Sequence, residues 1–127
     1  MDTADHRISG QVDAFGQFQG NIRIYEEEIK GHVISWKSGS GKPTDCGPFE
    51  IEFGYIAGNQ RESKLPPDEW KRIIDKVDHF GGVYVYRDRI RILPYGNSDV
   101  DWLGIEERRS RHAAYYFFSH RRMFGAV

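Results

Sequence analysis

Basic and aromatic side chains that could contact phosphate groups are concentrated in the second half of the sequence. Arg87, Arg89 and Arg91 alternate along a short stretch that also contains Tyr84 and Tyr86. Five more arginines follow this stretch: Arg108, Arg109, Arg111, Arg121 and Arg122. Guanidinium groups bind phosphate oxygens and aromatic rings stack on bases, so such a surface would suit phosphate or nucleic acid.

Acidic side chains near these arginines allow a second interpretation. Glu106 and Glu107 could neutralise the basic cluster, which would then be unavailable to a ligand. Asp88, Asp99 and Asp101 could form a carboxylate set, but capping the amides of turns is the more common use of aspartate in such loops. Both interpretations remain open at this point.

Other residues that often carry chemistry do not fall into a catalytic or metal-binding pattern. The five histidines lack the spacing of a zinc site: His6, His32, His79, His112 and His120. Cys46 is the only cysteine, and the neighbouring carboxylate of Asp45 disfavours the reactive thiolate. The Gly-Lys pair at 41–42 resembles part of a phosphate-binding loop, but Trp36 and Pro43 occupy positions where that loop needs glycine and Ser or Thr. We therefore predict no catalytic residue and no metal site.

The composition narrows the class of protein. The chain has 127 residues, of which 39% are hydrophobic and 14% aromatic, enough for one folded domain. Its formal net charge of −1 predicts no bulk attraction to nucleic acid or to an anionic membrane. One cysteine rules out an intrachain disulfide, and no apolar run reaches the roughly 18–20 residues of a membrane-spanning helix. We expect a cytoplasmic protein without a membrane partner.

The clearest element is a strand–turn–strand pattern over residues 81–96. Val83 and Val85 alternate with tyrosines, and Ile90 and Ile92 alternate with arginines, which is typical of half-buried strands. The turn is expected at 87–88, although it lacks the glycine that a primed hairpin turn prefers. Pro94 then stops the second strand, because proline cannot donate to a ladder.

Further strands are predicted before and after one helix. Alternating apolar residues predict strands over 8–18, 21–27, 31–37 and 48–57, with a turn at 19–20, and a run of aromatics predicts another strand over 113–118. An apolar stripe at helical spacing predicts a helix over 66–79, and residues 105–111 are expected to be helical or irregular. We therefore predict an α+β fold in which a mixed, mainly antiparallel sheet has one main helix packed on one face.

The end of the sequence has the pattern of an interrupted element. Residues 121–127 resemble the start of a strand without its continuation. We therefore expect residues 1–127 to form a single domain that is a fragment of a longer chain.

Two neighbouring stretches carry a family resemblance. They read Val-Tyr-Arg-Asp-Arg-Ile-Arg-Ile-Leu-Pro-Tyr-Gly over 85–96 and Asp-Trp-Leu-Gly-Ile-Glu-Glu-Arg-Arg over 101–109. Together they resemble a signature of the middle, or transducer, region of bacterial ATPases of the gyrase, heat-shock chaperone, histidine kinase and MutL superfamily (GHKL ATPases). Residues 8–20 and 47–52 also resemble that region. Arg89 departs from the signature, because glycine is common there, and this puts a primed turn in doubt.

The resemblance implies a ribosomal-protein-like transducer fold and specific partners. The parent chain would bind ATP and Mg²⁺ in a separate N-terminal nucleotide-binding domain, which would be the main partner of this domain. A homodimer and DNA are further partners that the resemblance allows. The chain itself would hold no cofactor.

The resemblance also assigns roles to individual residues. Arg121 and Arg122 are the nearest candidates in this chain for contacting the γ-phosphate. Motif or structural roles, chiefly holding the hairpin to its exit loop, go to nine residues: Arg87, Asp88, Arg91, Pro94, Tyr95, Gly96, Asp101, Trp102 and Arg109. An ion pair between Arg91 and Asp101 is a specific expectation.

The predicted function follows from this resemblance. We expect a non-catalytic transducer domain that couples ATP binding and hydrolysis in the parent chain to rearrangement of a dimer or a client. The alternative is a nucleic-acid-binding module that uses the arginine and aromatic surface. A free-standing enzyme is disfavoured, since the sequence contains no catalytic constellation.

Overall fold

The computed structural model describes residues 2–36, 41–97, 99–112 and 118–127. The elements within these ranges are, in chain order, β1 (His6–Val12), β2 (Phe18–Ile24), β3 (Glu27–Ile34), β4 (Phe49–Tyr55), α1 (Pro67–Phe80), β5 (Gly82–Tyr84), β6 (Tyr86–Arg87), β7 (Ile90–Arg91), α2 (Ile105–Arg111) and β8 (Met123–Ala126). Short 3-10 turns span Gln60–Glu62 and His120–Arg122. Of the strand predicted over 113–118, all but Phe118 lies outside the described residues.

Six strands form one mixed sheet in the order β3-β2-β1-β4-β8-β5. All neighbours are antiparallel except β5 and β8, which are parallel. β8 therefore lies inside the sheet, between β4 and β5, although it comes last in the sequence. β6 and β7 form a separate antiparallel pair. The predicted α+β class, with a mixed, mainly antiparallel sheet and one main helix, is confirmed.

The main helix, α1, begins and ends within one residue of its predicted bounds. Pro67 occupies its first turn, where no amide donor is needed, and Asp68 and Glu69 place negative charge at the positive end of the helix dipole. Gly81 ends the helix, and its N–H donates to the carbonyl of Val77. Within the described ranges, no helix combines the length and the apolar character needed to cross a membrane.

The apolar stripe of α1 packs onto one end of the sheet. Ile74 lies in a buried cluster with Ile56 and Leu65, and three partly buried side chains surround this cluster: Trp70, Ile73 and Phe124. The indole of Trp70 donates to the carbonyl of Ala57 at 2.9 Å, so its polar atom is satisfied at the edge of the cluster. Full burial of each such aliphatic side chain stabilises the fold by about 1.5–3 kcal/mol.

The two faces of the sheet differ in chemistry. Directly paired residues share a face, so the registers place Ile8, Ile22, Ile29 and Phe53 on the same side. This side, the apolar face, also carries Val12, Phe18, Ile24, Ile34, Phe49, Ile51, Tyr55 and Met123, together with three polar side chains, His6, Glu27 and His32. The opposite side, the polar face, carries Arg7, Ser9, Gln11, Gln19, Asn21, Arg23, Glu50 and Glu52.

The main helix covers the side of the sheet opposite the apolar face. Gly54 pairs with Phe124, and a Cβ on Gly54 would lie only 2.6 Å from the Phe124 ring. Because Phe124 also packs against the cluster that contains Ile74 of α1, the helix lies on the polar side. The apolar residues of β1, β2 and β3 therefore do not receive their cover from α1.

A buried carboxylate ties the start of β1 to the loop that leads into α1. The side chain of Asp5 is fully buried and accepts hydrogen bonds from the N–H of Ala57 at 2.9 Å, the hydroxyl of Ser63 at 3.0 Å and the N–H of Lys64 at 2.8 Å. Buried carboxylates need such donors, because an unpaired one is strongly destabilising. The N-terminal residues are thus part of the fold.

The hairpin predicted over 81–96 differs from the observed structure in two respects. β5 joins the main sheet, and only the short strands β6 and β7 pair with each other. The turn between them lies at Asp88 and Arg89, one residue later than the predicted 87–88, with φ angles of 53° and 68°. Two central residues with positive φ characterise a type I′ turn, so the doubt about a primed turn is wrong. The turn adopts this conformation without glycine.

Candidate functional site

Trp102, in the second motif, covers the free edge of β5. The carbonyl of Tyr84 points towards β8 and accepts the N–H of Val127 at 2.8 Å, so the carbonyl of Val83 points away from the sheet. The indole N–H of Trp102 donates to that Val83 carbonyl at 3.1 Å. The Tyr95 ring lies 5.3 Å from the indole in an edge-to-face arrangement. The two motifs therefore meet at the edge of the sheet.

Asp101 caps the helix that carries the rest of the second motif. Its carboxylate accepts the backbone N–H groups of Ile105 at 2.8 Å, Glu106 at 2.9 Å and Glu107 at 3.2 Å. The first N–H groups of a helix have no partner within the helix, and a negative charge there also favours the helix dipole. Gly104 precedes α2 with a φ of 64°, a conformation that glycine adopts readily. The capping interpretation of Asp101 is thereby supported.

Glu106 joins α2 to the turn that carries Arg121 and Arg122. Its Oε1 accepts the hydroxyl of Ser119 at 2.6 Å and the backbone N–H of His120 at 2.7 Å. Burial by itself would raise the pKa of Glu106, but these hydrogen bonds and the positive charge of Arg109 outweigh burial and leave that pKa below its usual value. The carboxylate is therefore held in its charged form.

The expected ion pair between Arg91 and Asp101, both within the described ranges, is not formed. The guanidinium of Arg91 donates to the side-chain oxygen of Asn97 at 3.1 Å and lies 4.5 Å from the centre of the Tyr84 ring. Three backbone donors already occupy the Asp101 carboxylate. Each group therefore has local partners, and an ion pair between them would have to displace these contacts.

Close backbone contact explains the glycine of the first motif. A Cβ on Gly96, which has a φ of 92°, would lie 2.4 Å from the ring of Tyr84. A Cβ on Gly82 would lie 2.4 Å from the carbonyl of Gly96. The peptide bond before Pro94 is cis. The Pro-Tyr-Gly segment thus passes directly against the start of β5, which no larger residue at 96 would allow.

The two arginines assigned to phosphate contact differ in their surroundings. Arg122 forms an ion pair with Asp78 of α1, and its side chain is mostly buried. Arg121 is exposed, and no hydrogen bond or ion pair of its side chain occurs among the described residues. Of the two, Arg121 is the side chain that a phosphate could reach without breaking an existing ion pair.

The remaining arginines divide into paired and free groups. Arg109 lies 3.7 Å from Glu106, and Arg111 lies 2.6 Å from Glu107. Arg87 is exposed, like Asp88 and Arg89 in the turn beside it, and in the part of the chain described here its side chain makes no ion pair. The proposed neutralisation by Glu106 and Glu107 thus applies to Arg109 and Arg111. The exposed arginines of this set that form no ion pair within the described ranges are Arg87, Arg89, Arg91, Arg108 and Arg121.

Sequence reasoning missed the role of Glu106 as a connector. The sequence suggested only that it neutralises nearby arginines, because no sequence pattern indicates a contact with Ser119 and His120, which are 13 and 14 residues away. Asp5 was also missed, since a lone aspartate near an N-terminus gives no signal of burial. The Asp101 cap had a sequence signal, namely an aspartate four residues before a helix that begins with Ile-Glu-Glu.

Among the described residues, no three His, Cys, Asp or Glu side chains are arranged to hold a metal ion. A groove of about 560 Å³ lies on the apolar face and is lined by residues that include Ile8, Ile24, Phe53 and Phe118. Its lining is almost entirely carbon, so it offers nothing that would bind a nucleotide phosphate.

Comparison with known proteins identifies no relative. No protein-family model, no curated protein and no solved structure matches this chain.

Proposed function

We propose that this chain is the transducer domain of a GHKL-type ATPase. In this proposal ATP and Mg²⁺ bind to a separate N-terminal nucleotide-binding domain of the parent chain, in the bacterial cytoplasm. The chain supplies no catalytic residue and converts the nucleotide state into a rearrangement of a dimer or a client. Support comes from the two-motif resemblance together with the contacts that these motifs make.

The observation that carries the proposal is the connection through Glu106. The turn with Arg121 is held to α2 by the Glu106 carboxylate, and α2 is held to its preceding loop by Asp101. That loop contacts the sheet through Trp102 and Val83. A force on Arg121 therefore has a continuous path of hydrogen bonds to the edge of the sheet.

This path provides a mechanism for coupling. The exposed guanidinium of Arg121 would be attracted to the γ-phosphate and released after hydrolysis, which biases one of two domain arrangements. Arg122 remains paired with Asp78, so the same turn is also attached to α1. Displacement of the turn would then move α2 and α1 together.

The test compares ATP turnover by the parent chain with that of two variants. Arg121→Ala should lower ATP-dependent rearrangement or turnover by about 10³-fold or more if the arginine reaches the phosphate, the range known for an arginine supplied to a transferring phosphoryl group. Arg108→Ala is the matched control, because Arg108 is exposed on α2 and should leave turnover unchanged. Equal effects of the two variants, or ATP hydrolysis by the 127-residue chain alone, would overturn the proposal.

A nucleic-acid-binding module is the second candidate, and one observation favours it. Arg87 and Arg89 project at the hairpin tip beside Tyr86, whose side chain is 47% exposed. Such a tip could contact DNA through phosphates and stacking. Binding to an oligonucleotide that weakens steeply with salt and is lost in Arg87→Ala would support this function. Absence of binding at low salt would remove it.

A further inference from the structure

An exposed aromatic ring and a free ammonium group lie together at the end of the main helix. Phe80, the last residue of α1, is 74% exposed, the highest value among the large hydrophobic side chains of the described residues. Lys76 is also exposed, and it forms no ion pair within the described ranges. Because residues four apart in a helix are neighbours on its surface, the Lys76 side chain lies beside Phe80.

The acidic residues of the same helical turns lie on other sides of α1. At 3.6 residues per turn, Asp75 and Asp78 are displaced from Phe80 by about 140° and 160° around the helix axis. Asp78 is also paired with Arg122, so its charge is already neutralised. The surface that carries Lys76 and Phe80 therefore keeps its local positive charge.

Tyr84 connects this end of α1 to the hairpin of β6 and β7. Its hydroxyl donates to the carbonyl of Phe80 at 2.8 Å. Its ring lies against the backbone of Gly96, where a Cβ would be only 2.4 Å away, and the guanidinium of Arg91 lies 4.5 Å from the ring centre. Tyr86 pairs directly with Arg91, so these two side chains share one face of the hairpin.

We infer that these residues form a binding strip for single-stranded nucleic acid. The basic–aromatic strip runs from the end of α1 to the hairpin and consists of five side chains: Lys76, Phe80, Tyr84, Tyr86 and Arg91. Phe80 and Tyr86, which are 74% and 47% exposed, offer ring surface on which bases stack. Lys76 and Arg91 supply positive charge for the phosphates. Tyr84 is a positioning residue, because it holds Arg91 through its ring and not through a carboxylate.

The aromatic content of the strip favours unpaired bases over other anionic ligands. A duplex keeps the faces of its bases inside the stack, so Phe80 and Tyr86 would gain no base contact from it. A polyanion without bases would use only the lysine and the arginine. The net charge of −1 provides no bulk attraction, so binding depends on this local surface and weakens with salt.

This inference rests on nucleic-acid binding, the second candidate function, and extends it from the hairpin tip to the end of α1. It also separates two groups of basic residues. Arg87 pairs with Ile90 and therefore lies on the opposite face of the hairpin from Tyr86 and Arg91. Substitutions at Lys76 and at Arg87 can thus distinguish the strip from the tip.

Fluorescence anisotropy with a labelled single strand of about 12 nucleotides, and with the duplex of the same sequence, tests the inference. At low salt the wild-type chain should bind the single strand more tightly than the duplex. Phe80→Ala should raise the Kd for the single strand by about 5- to 100-fold, because one stacked base is lost. Lys76→Ala should also weaken binding and should reduce the slope of log K against log salt by about 0.7. Circular dichroism verifies that each variant is folded.

Two exposed side chains away from the strip are the matched controls. Lys71 is exposed on α1 but lies about 140° around the helix from Lys76. Phe15 is 47% exposed in the loop between β1 and β2. Lys71→Ala and Phe15→Ala should therefore bind the single strand like the wild type.

The remaining outcomes separate this inference from the candidate function on which it rests. Loss of binding in Arg87→Ala, with wild-type affinity in Phe80→Ala and Lys76→Ala, would place nucleic acid at the hairpin tip alone and would overturn only the strip. Equal affinity for the single strand and the duplex, or equally tight binding of polyglutamate, would overturn it as well, since neither requires base stacking. Absence of any binding by the wild type at low salt would remove the strip and the second candidate function together.

Discussion

The Oε1 atom of Glu106 accepts the backbone N–H of His120 at 2.7 Å, which fixes the second motif to a turn fourteen residues later in the chain. The same oxygen accepts the hydroxyl of Ser119 at 2.6 Å. His120 is fully buried, and the Glu106 carboxylate is the acceptor of its backbone N–H. This carboxylate therefore determines where the basic turn lies relative to α2.

Removing the carboxylate of Glu106 should destabilise the domain. We expect Glu106→Ala to lower the free energy of unfolding by about 1–2 kcal/mol, because a buried N–H and a hydroxyl lose a charged acceptor. Glu107→Ala is the control, since Glu107 is exposed and its pair with Arg111 contributes less than about 0.5 kcal/mol. Urea denaturation followed by circular dichroism measures both. Equal losses in the two variants would contradict a special role for Glu106.

The hairpin tip contains strain that one substitution should relieve. Arg89 adopts a φ of 68°, which costs a residue with a side chain about 1 kcal/mol relative to glycine. We therefore expect Arg89→Gly to raise the free energy of unfolding by about 0.5–1 kcal/mol. Arg87→Gly, in the adjoining strand, should lower it by a similar amount, because glycine weakens strands. Melting temperatures from thermal denaturation measure both changes. A shift in the same direction for both variants would contradict the interpretation that Arg89 is strained.

Local sequence patterns were sufficient to predict the type of most helices and strands. The helical stripe predicted α1 over 66–79 against an observed Pro67–Phe80, and the alternation in β4 correctly divided its residues between two faces. The expected turn at 19–20 was wrong. Gly20 lies within β2 opposite Gly10, and the ring of Phe18 lies across both glycines, within 2.7 Å of where each Cβ would be. The backbone oxygens of Ser9 and Gln19 lie still closer, at 2.2 Å from a Cβ on Gly20 and 2.4 Å from a Cβ on Gly10, so close packing, not a turn, is the reason for glycine there.

Features set by distant parts of the chain could not be predicted in this way. The position of β8 between β4 and β5 depends on pairing with strands far earlier in the sequence, and periodicity carries no information about partners. The partner of Arg91 likewise depended on the path of the loop, which brings Asn97 to it instead of Asp101. Sequence patterns therefore predict individual helices and strands, but they do not predict which of these elements contact each other.

The buried carboxylate of Asp5 should be among the most sensitive positions in the chain. We expect Asp5→Ala to lower the free energy of unfolding by about 3–4 kcal/mol, because two backbone N–H groups and a hydroxyl lose their acceptor inside the protein. Asp2→Ala is the control. Asp2 is 94% exposed and only loosely paired with Arg7, so its loss should cost less than about 0.5 kcal/mol. Chemical denaturation measures both free energies of unfolding. Equal losses in the two variants would contradict the role of Asp5 as a buried acceptor.

His6 should make the fold sensitive to mild acid. Burial lowers the pKa of the His6 imidazole from its usual 6.5, and the negative charge of Asp5 offsets this only in part. The unfolded chain therefore takes up a proton at a higher pH than the folded one does. The resulting contribution to stability is fully present above pH 6.5 and is lost as the pH falls towards the lower, folded pKa.

We expect this loss to disappear when the imidazole is replaced by a ring that cannot be protonated. In His6→Phe the aromatic contacts with Tyr25 and Tyr55 can be retained. The free energy of unfolding of the wild type should fall relative to that of His6→Phe between pH 7.5 and pH 5. Urea denaturation at several pH values measures the two curves. Parallel curves for the wild type and His6→Phe would show that His6 does not titrate differently in the folded state.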